Sequence, residues 1–330
     1  MEDTQDSSAD PEQVVRIQHC ETPSEFIAAL SPRGDAYRSM LPRAWVFRGH
    51  ANDTYSLTPA ALRHESKALA EFAFHPLRNN REQAEAEREV LTDFLKISDS
   101  IGLHLPEDTQ TLRRWLENRP KMKVWPPNEL LSLMALAQHH GIPTRLLDWS
   151  RHPLKAAWFA ANEAAQSTDK TARLSVWALS VEMLDMIGDE PKPFTVITAP
   201  SATNSNLRAQ EGLFTLTKHI AVDESPVDRT PFDELLRTAF QKYRVTGPSP
   251  WFHRITLPRA IAEDLEFDLA LEGVTRATLF PDFYGVVQSM RDFIRWGENN
   301  GPRTRRIEKH IDTFFFSHRS TVRFPLNPED

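Results

Sequence analysis

The segment 153–165, PLKAAWFAANEAA, reads as a helix that is apolar on almost every side as far as Phe159. Pro153 suits its first turn, where no backbone N–H is needed. A helix without a polar face has to be enclosed from several directions. The chain must therefore supply further elements to pack around it. Its 330 residues suffice for one large domain or two small ones. Eight tryptophans and nineteen phenylalanines provide heavy core material, which a disordered chain would not carry.

The flanking segments read clearly. Residues 129–140, ELLSLMALAQHH, place Leu130, Leu133, Met134 and Ala137 at helical spacing, with Asn128 to cap the start and Gly141 to end it. TRLLDW follows as a strand or extended turn. Residues 44–48, Ala-Trp-Val-Phe-Arg, read as a strand that Gly49 ends. Residues 57–62 form a loop leading into a short helix. Residues 82–101 form a long amphipathic helix striped by Val90, Leu91, Phe94, Leu95 and Ile97. Residues 102–127 read as irregular. Strands are expected at 173–179, 194–199, 212–217, 251–257 and 277–280, and helices at 259–272 and 283–296. Helices come first and strands dominate the middle, which predicts an α+β fold.

Charge and cysteine content narrow the function. A formal net charge of −7 argues against coating nucleic acid by bulk electrostatics. The basic run 302–309, PRTRRIEK, reads as a solvated surface stretch, and the tail beyond 300 is polar apart from Phe314, Phe315 and Phe316. Cys20 is the single cysteine, which fits a reducing compartment. No apolar stretch is long enough to span a membrane, and the acidic start MEDTQDSSADPEQ resembles no secretory signal. The expected location is the cytoplasm, with residues 1–13 a disordered acidic tail.

Four segments in order carry a family resemblance: VFRGH at 46–50, MALAQHHGIPTRLLDWSRHPLKAAWFAA across 134–161, NLRAQEGLFTL at 206–216, and LFPDFYGV at 279–286. Together they resemble the FRG domain family, named for its Phe/Tyr-Arg-Gly motif, over roughly residues 40–295. The resemblance implies one FRG-type domain at 14–300 and a C-terminal extension at 301–330. It also implies a place in a bacterial stress-response or anti-phage system. A weaker resemblance, by order and local residue type, is to mono-ADP-ribosyltransferases. These have a strand ending in Arg-Gly, a strand with Ser or Thr feeding an Ala- and Phe-rich helix, and a strand starting near a glutamate. Here Arg48-Gly49, Trp149-Ser150 and Gln210-Glu211 fall in that order. That resemblance implies a split-sheet core with an N-terminal helical insertion, and NAD as cofactor.

The candidate site residues follow from both readings. Arg48, before Gly49, offers a planar fork for pyrophosphate or ribose, or else forms a structural pair with Asp148. Gly49 would let a ligand approach the backbone. Ser150 either supports phosphate at the following helix or caps it. Glu211 would stabilise oxocarbenium-like charge, with Gln210 orienting the ligand, unless both are turn residues. His140, Thr144, Arg145 and Trp149 complete the implied NAD-binding set, although Arg145 and Asp148 also read as an ion pair pinning their turn. His139 and His140 are adjacent and do not share a helix face. With His152 and Asp148 they make a poor zinc set, and no metal is expected. Asp282 reads as the cap of the last helix. Two functions compete. One is an NAD-dependent ADP-ribosyltransferase or NAD glycohydrolase using Arg48, Ser150 and Glu211, with a protein or nucleic acid as acceptor. The other is a non-catalytic nucleotide- or protein-binding module. A metal-dependent nuclease lacks clustered acids.

Overall fold

The computed structural model describes residues 15–300, except 32–36, 38–43, 64–66, 73–76, 104, 106–107, 118–122, 187–193, 199–208, 218–219 and 243–250. The tail at 1–13, the basic run and the three phenylalanines near residue 315 lie outside these. The fold is α+β. A seven-stranded mixed sheet runs in the order β1 (Arg16–His19), β9 (Phe252–Pro258), β5 (Arg173–Ser180), β2 (Trp45–His50), β4 (Leu146–Ser150), β7 (Gly212–Thr217), β6 (Phe194–Ile197). Among the described residues, only β1 and β9 pair in parallel. A two-stranded ribbon joins β3 (Val124–Trp125) to β8 (Ile220–Ala221).

The sheet has a seam. β2 pairs with β5 at six successive residues, yet it meets β4 at one position, Phe47 opposite Ser150. Different helices cover the same side of the sheet to the left and right of this seam. Over β2, β5 and β9 lie α6 (Pro153–Gln166), α1 (Pro23–Ala29) and α9 (Ala262–Leu271), packed with Phe47, Val176 and Ile255. Over β4 and β7 lie α3 (Asn80–Ser100), α4 (Gln110–Glu117) and α5 (Leu131–His139), packed with Leu146, Phe214 and Leu216. The other side carries α8 (Phe232–Lys242), whose Phe232 and Leu236 pack with Val46, Leu147, Trp149 and Trp177. The remaining helices are α2 (Lys67–Ala70), α7 (Val181–Met186), α10 (Arg276–Leu279) and α11 (Phe283–Asn300).

α6 is as enclosed as its composition requires, with Ala156, Ala157, Trp158, Ala160 and Ala161 all buried. Its alanines let the helix backbone come down onto β2. A Cβ on Gly49 would lie 2.0 Å from the Ala156 carbonyl oxygen and 2.8 Å from the Ala160 nitrogen. Gly49 is therefore spent on helix packing.

Several sequence expectations need correction. Residues 102–127 contain α4, because Thr109 caps it through the Leu112 N–H and Leu112 and Leu116 bury one face. Residues 276–279 are helical. Thr275 and Thr278 form a reciprocal cap there, a local signal that outweighs the apolar run. Asn128 lies in a short 3₁₀ turn, and α5 starts at Leu131. Gly141, at φ +91°, does end α5. The expected Arg145–Asp148 pair does not form. Arg145 Nε donates to both carboxylate oxygens of Glu87 on α3, at 2.9 and 2.7 Å, and both residues are buried. Glu87 also accepts from Trp125 Nε1 at 2.6 Å and Gln83 Nε2 at 2.7 Å. A carboxylate this buried is tolerated because three side chains donate to it, and removing one partner typically costs ~3–5 kcal/mol. β1, α1, α7, α8 and the ribbon are elements the sequence reading left out.

Gly49→Ala tests the helix contact. The methyl group meets backbone, which cannot swing aside, so a destabilisation of about 2–3 kcal/mol is expected. Thermal melts should fall by roughly 5–10 °C. An unchanged melt would show that α6 can lift away from β2 freely.

Candidate functional site

A cleft of about 280 Å³ lies over the seam, between the end of α5 and the start of α6. Arg48, Gly49, Asp148, Ser150 and Gln210 line it, together with Gln138, His139, Phe159 and Phe280. Pairing between β2 and β4 stops at Phe47 and Ser150, and the Arg48 side chain takes over. Its Nη1 donates to the Asp148 carbonyl oxygen at 2.7 Å and to the Asp148 carboxylate at 2.6 Å. The guanidinium thus satisfies a strand carbonyl that a neighbouring N–H would otherwise serve.

This pair presents an asymmetric face. The Arg48 side chain is 12% exposed, whereas that of Asp148 is 65% exposed and opens into the cleft. Crowding by the cleft walls alone would raise the Asp148 carboxyl. The Arg48 charge and hydrogen bond outweigh it and hold the carboxyl below its usual range. Gln138 Nε2 donates to the same carboxylate at 3.2 Å, and Thr144 Oγ1 bonds Gln138 Oε1. Thr144 therefore fixes the amide from outside the cleft. Behind Arg48, its Nε donates to His50 Nε2 at 3.0 Å, which leaves the His50 proton on Nδ1, facing the Tyr55 carbonyl at 3.3 Å. Burial first, and the Arg48 charge second, push His50 down to about 3. His50 is neutral throughout the physiological range.

Ser150 Oγ donates to the Gln210 carbonyl at 2.7 Å and accepts from the His152 N–H at 3.0 Å. It ties β4 to the turn before β7. It does not cap α6, whose capping residue is His152, two positions on. Gln210 Nε2 donates to the Leu279 carbonyl at 3.4 Å. Phe159 and Phe280 meet edge to face, 6.1 Å apart, and give the cleft an aromatic wall.

Of the remaining candidates, Glu211, Arg145 and His140 are not among the cleft-lining residues. The Glu211 carboxylate accepts from Lys155 Nζ on α6 at 3.0 Å. Its backbone has φ 50°, the single non-glycine residue in the left-handed region among the described residues. Arg145 is in the α3 core. His140 stacks on Phe94, with rings 6.4 Å apart. The Trp149 backbone borders the cleft, while its indole turns to the opposite core and donates to Thr215 Oγ1 at 2.9 Å. Asp282 caps α11 through the Gly285 N–H at 2.6 Å, as its position suggests. Among the described residues, no cluster of three His, Cys, Asp or Glu is placed to hold a metal, and no helix is long and apolar enough to cross a membrane. Gln138, His50, Phe159 and Phe280 escaped assignment to the site. His50 had a legible signal, two residues beyond Arg48 on the same strand. Gln138 and Phe280 had none.

His50 makes a pH prediction. Its folded value lies below its unfolded one, so the unfolded chain takes up the proton first. Stability is intact above about 6.5 and falls as pH drops from there, by about 3 kcal/mol at pH 4 for one such histidine. His139 and His152 shift in the same direction, both mainly through burial. In urea titrations, His50→Gln should keep the Arg48 contact and show a shallower acid slope. A slope equal to wild type would mean that His50 protonates in the folded state.

The model of one protein family, the FRG domain, matches residues 43–169. No curated protein and no solved structure matches the chain.

Proposed function

The chain carries an FRG domain at residues 43–169, and we propose that its cleft is a binding site for the nucleoside end of a nucleotide such as NAD. The observation that carries this reading is the Arg48–Asp148 pair, both lining the cleft, with the carboxylate by far the more exposed of the two. An exposed carboxylate backed by a cation accepts well from the neighbouring hydroxyls of a ribose and repels a bare phosphate. Gln138, Ser150 and Gln210 add polar atoms, and Phe159 and Phe280 offer a wall for a flat ring. About 280 Å³ suits a nucleoside-sized group more than a whole dinucleotide. The Glu211 carboxylate is engaged by Lys155, which supports binding over catalysis. In the stress or anti-phage setting suggested by the family resemblance, such a module would sense a nucleotide.

A second reading, NAD cleavage or ADP-ribosyl transfer to a protein or nucleic acid, draws support from one feature. Glu211 holds an uncommon backbone conformation between two cleft residues, Gln210 and Gly212. Strain of this kind concentrates at functional sites.

Calorimetric titration with NAD, ADP-ribose, adenosine and inorganic phosphate separates these readings. Wild type should bind the ribose-bearing ligands and ignore phosphate. Arg48→Lys loses the planar fork, and Asp148→Asn loses the charge. Each should weaken binding by roughly 10–100-fold, with Arg48→Lys still folded. Glu211→Gln should bind as wild type does. Nicotinamide release from NAD that disappears in Glu211→Gln, at an unchanged melt, would establish the second reading instead. Binding of phosphate alone, or of no ligand, would overturn the first.

A further inference from the structure

α11 is apolar on its outward side. Against the domain it buries Gly285, Ser289 and Asp292 and one large apolar side chain, Trp296, which meets Phe267 of α9 edge to face at 6.1 Å. Ser289 Oγ accepts from the Ala277 N–H at 2.8 Å, and Asp292 accepts from Arg276 Nε at 3.1 Å and Arg295 Nη2 at 3.2 Å. A Cβ on Gly285 would lie 2.0 Å from the Phe280 carbonyl oxygen, so the helix start is pressed against the preceding turn. The opposite side is apolar and open, with Phe283 92%, Val287 46%, Met290 58% and Ile294 62% exposed, and Tyr284 and Val286 exposed beside them. A surface helix ordinarily turns such residues inward. Their spacing of four, three and four is that of a coiled-coil seam.

We infer that α11 is a homodimer contact, its apolar stripe packed antiparallel against the same stripe of a second copy. Three features select a second copy as the occupant. The stripe is symmetric about its own middle. A two-fold axis sets Phe283 opposite Ile294 of the second copy, and Val287 opposite its Met290, so every apolar residue finds an apolar partner. The same axis sets the exposed Asp282 at the level of Arg295 of the second copy and the exposed Arg291 over its Val286, with no like charges opposed. The six exposed side chains present roughly 600 Å², so a symmetric pair buries about 1,200 Å², above the ~1,000 Å² a specific interface needs. The contact also adjoins the cleft. Phe280, a lining residue, sits three residues before Phe283, and the Asp282 N–H donates to its carbonyl at 2.8 Å. Dimer formation and occupation of the cleft therefore share the segment 280–283.

Sedimentation of the full chain from low to high micromolar concentration tests this. Wild type should run as a dimer with a concentration-dependent melt, and Met290→Glu combined with Ile294→Glu should run as a folded monomer. A monomeric wild type overturns the proposal. A lower melt in that monomer's double variant would place a segment of the same chain on the stripe, and an equal melt would leave it to a different protein. A dimer that survives the double substitution also overturns it. Val287→Cys guards against a variant that fails to fold. Its thiols lie across the axis from each other, and a short bis-maleimide should give a covalent dimer in dilute solution. No cross-link with that folded variant counts against the contact.

Discussion

The Arg48–Asp148 contact is the interaction on which the centre of the molecule depends. A sheet that stops pairing in its middle leaves strand carbonyls exposed to a cleft, and such groups need partners. Here one side chain meets the need at 2.7 Å and neutralises a carboxylate at the same time. The rest of the cleft is arranged about that pair. Gln138, held by Thr144, steadies the carboxylate, and neutral His50 steadies the guanidinium. A protonated His50 would face a cation at hydrogen-bond distance. Burial and that charge together keep it neutral.

Packing on either side keeps the seam open. α6 comes down onto β2 because Gly49 and a run of alanines allow backbone to approach backbone. α5 packs against α3, which the Glu87–Arg145 pair ties to the residue preceding β4. The two helices belong to different apolar clusters. The cleft is the space left where those clusters meet, which explains why its lining comes from so many elements. Ligand pockets commonly form at such boundaries between packing units.

α11 follows a different logic from the rest of the chain. Hydrogen bonds and ion pairs through Ser289, Asp292 and Arg276 hold it to the domain, with Trp296 as its buried apolar anchor against α9. That arrangement frees its apolar stripe for an external contact.

How much of this was legible beforehand follows from the range of the interactions. Elements with a strong local signal could be read directly apart from their ends: the helix expected at 82–101, the enclosed helix expected at 153–165, Asp282 as a cap, and the strand expected at 44–48, although Gly49 does not end it and β2 pairs on through His50. The α+β class followed from their order. Short elements with mixed signals, such as α4, α10 and the β3–β8 ribbon, were not legible, because a weak local preference is decided by what packs over it. The pairing of charges lay further out of reach. Arg145 has Asp148 three residues away, yet it bonds Glu87, 58 positions distant, and Asp148 goes to Arg48 at a separation of 100. Ser150 and Glu211 each had two readings that the sequence left equal. Ser150 is a tie to the Gln210 carbonyl, and the Glu211 carboxylate is held by Lys155, outside the cleft lining. Local sequence determines which residues prefer helix or strand, because those preferences act within a few residues. Tertiary structure alone decides which charge meets which and where the sheet parts, because these depend on groups that only folding brings together.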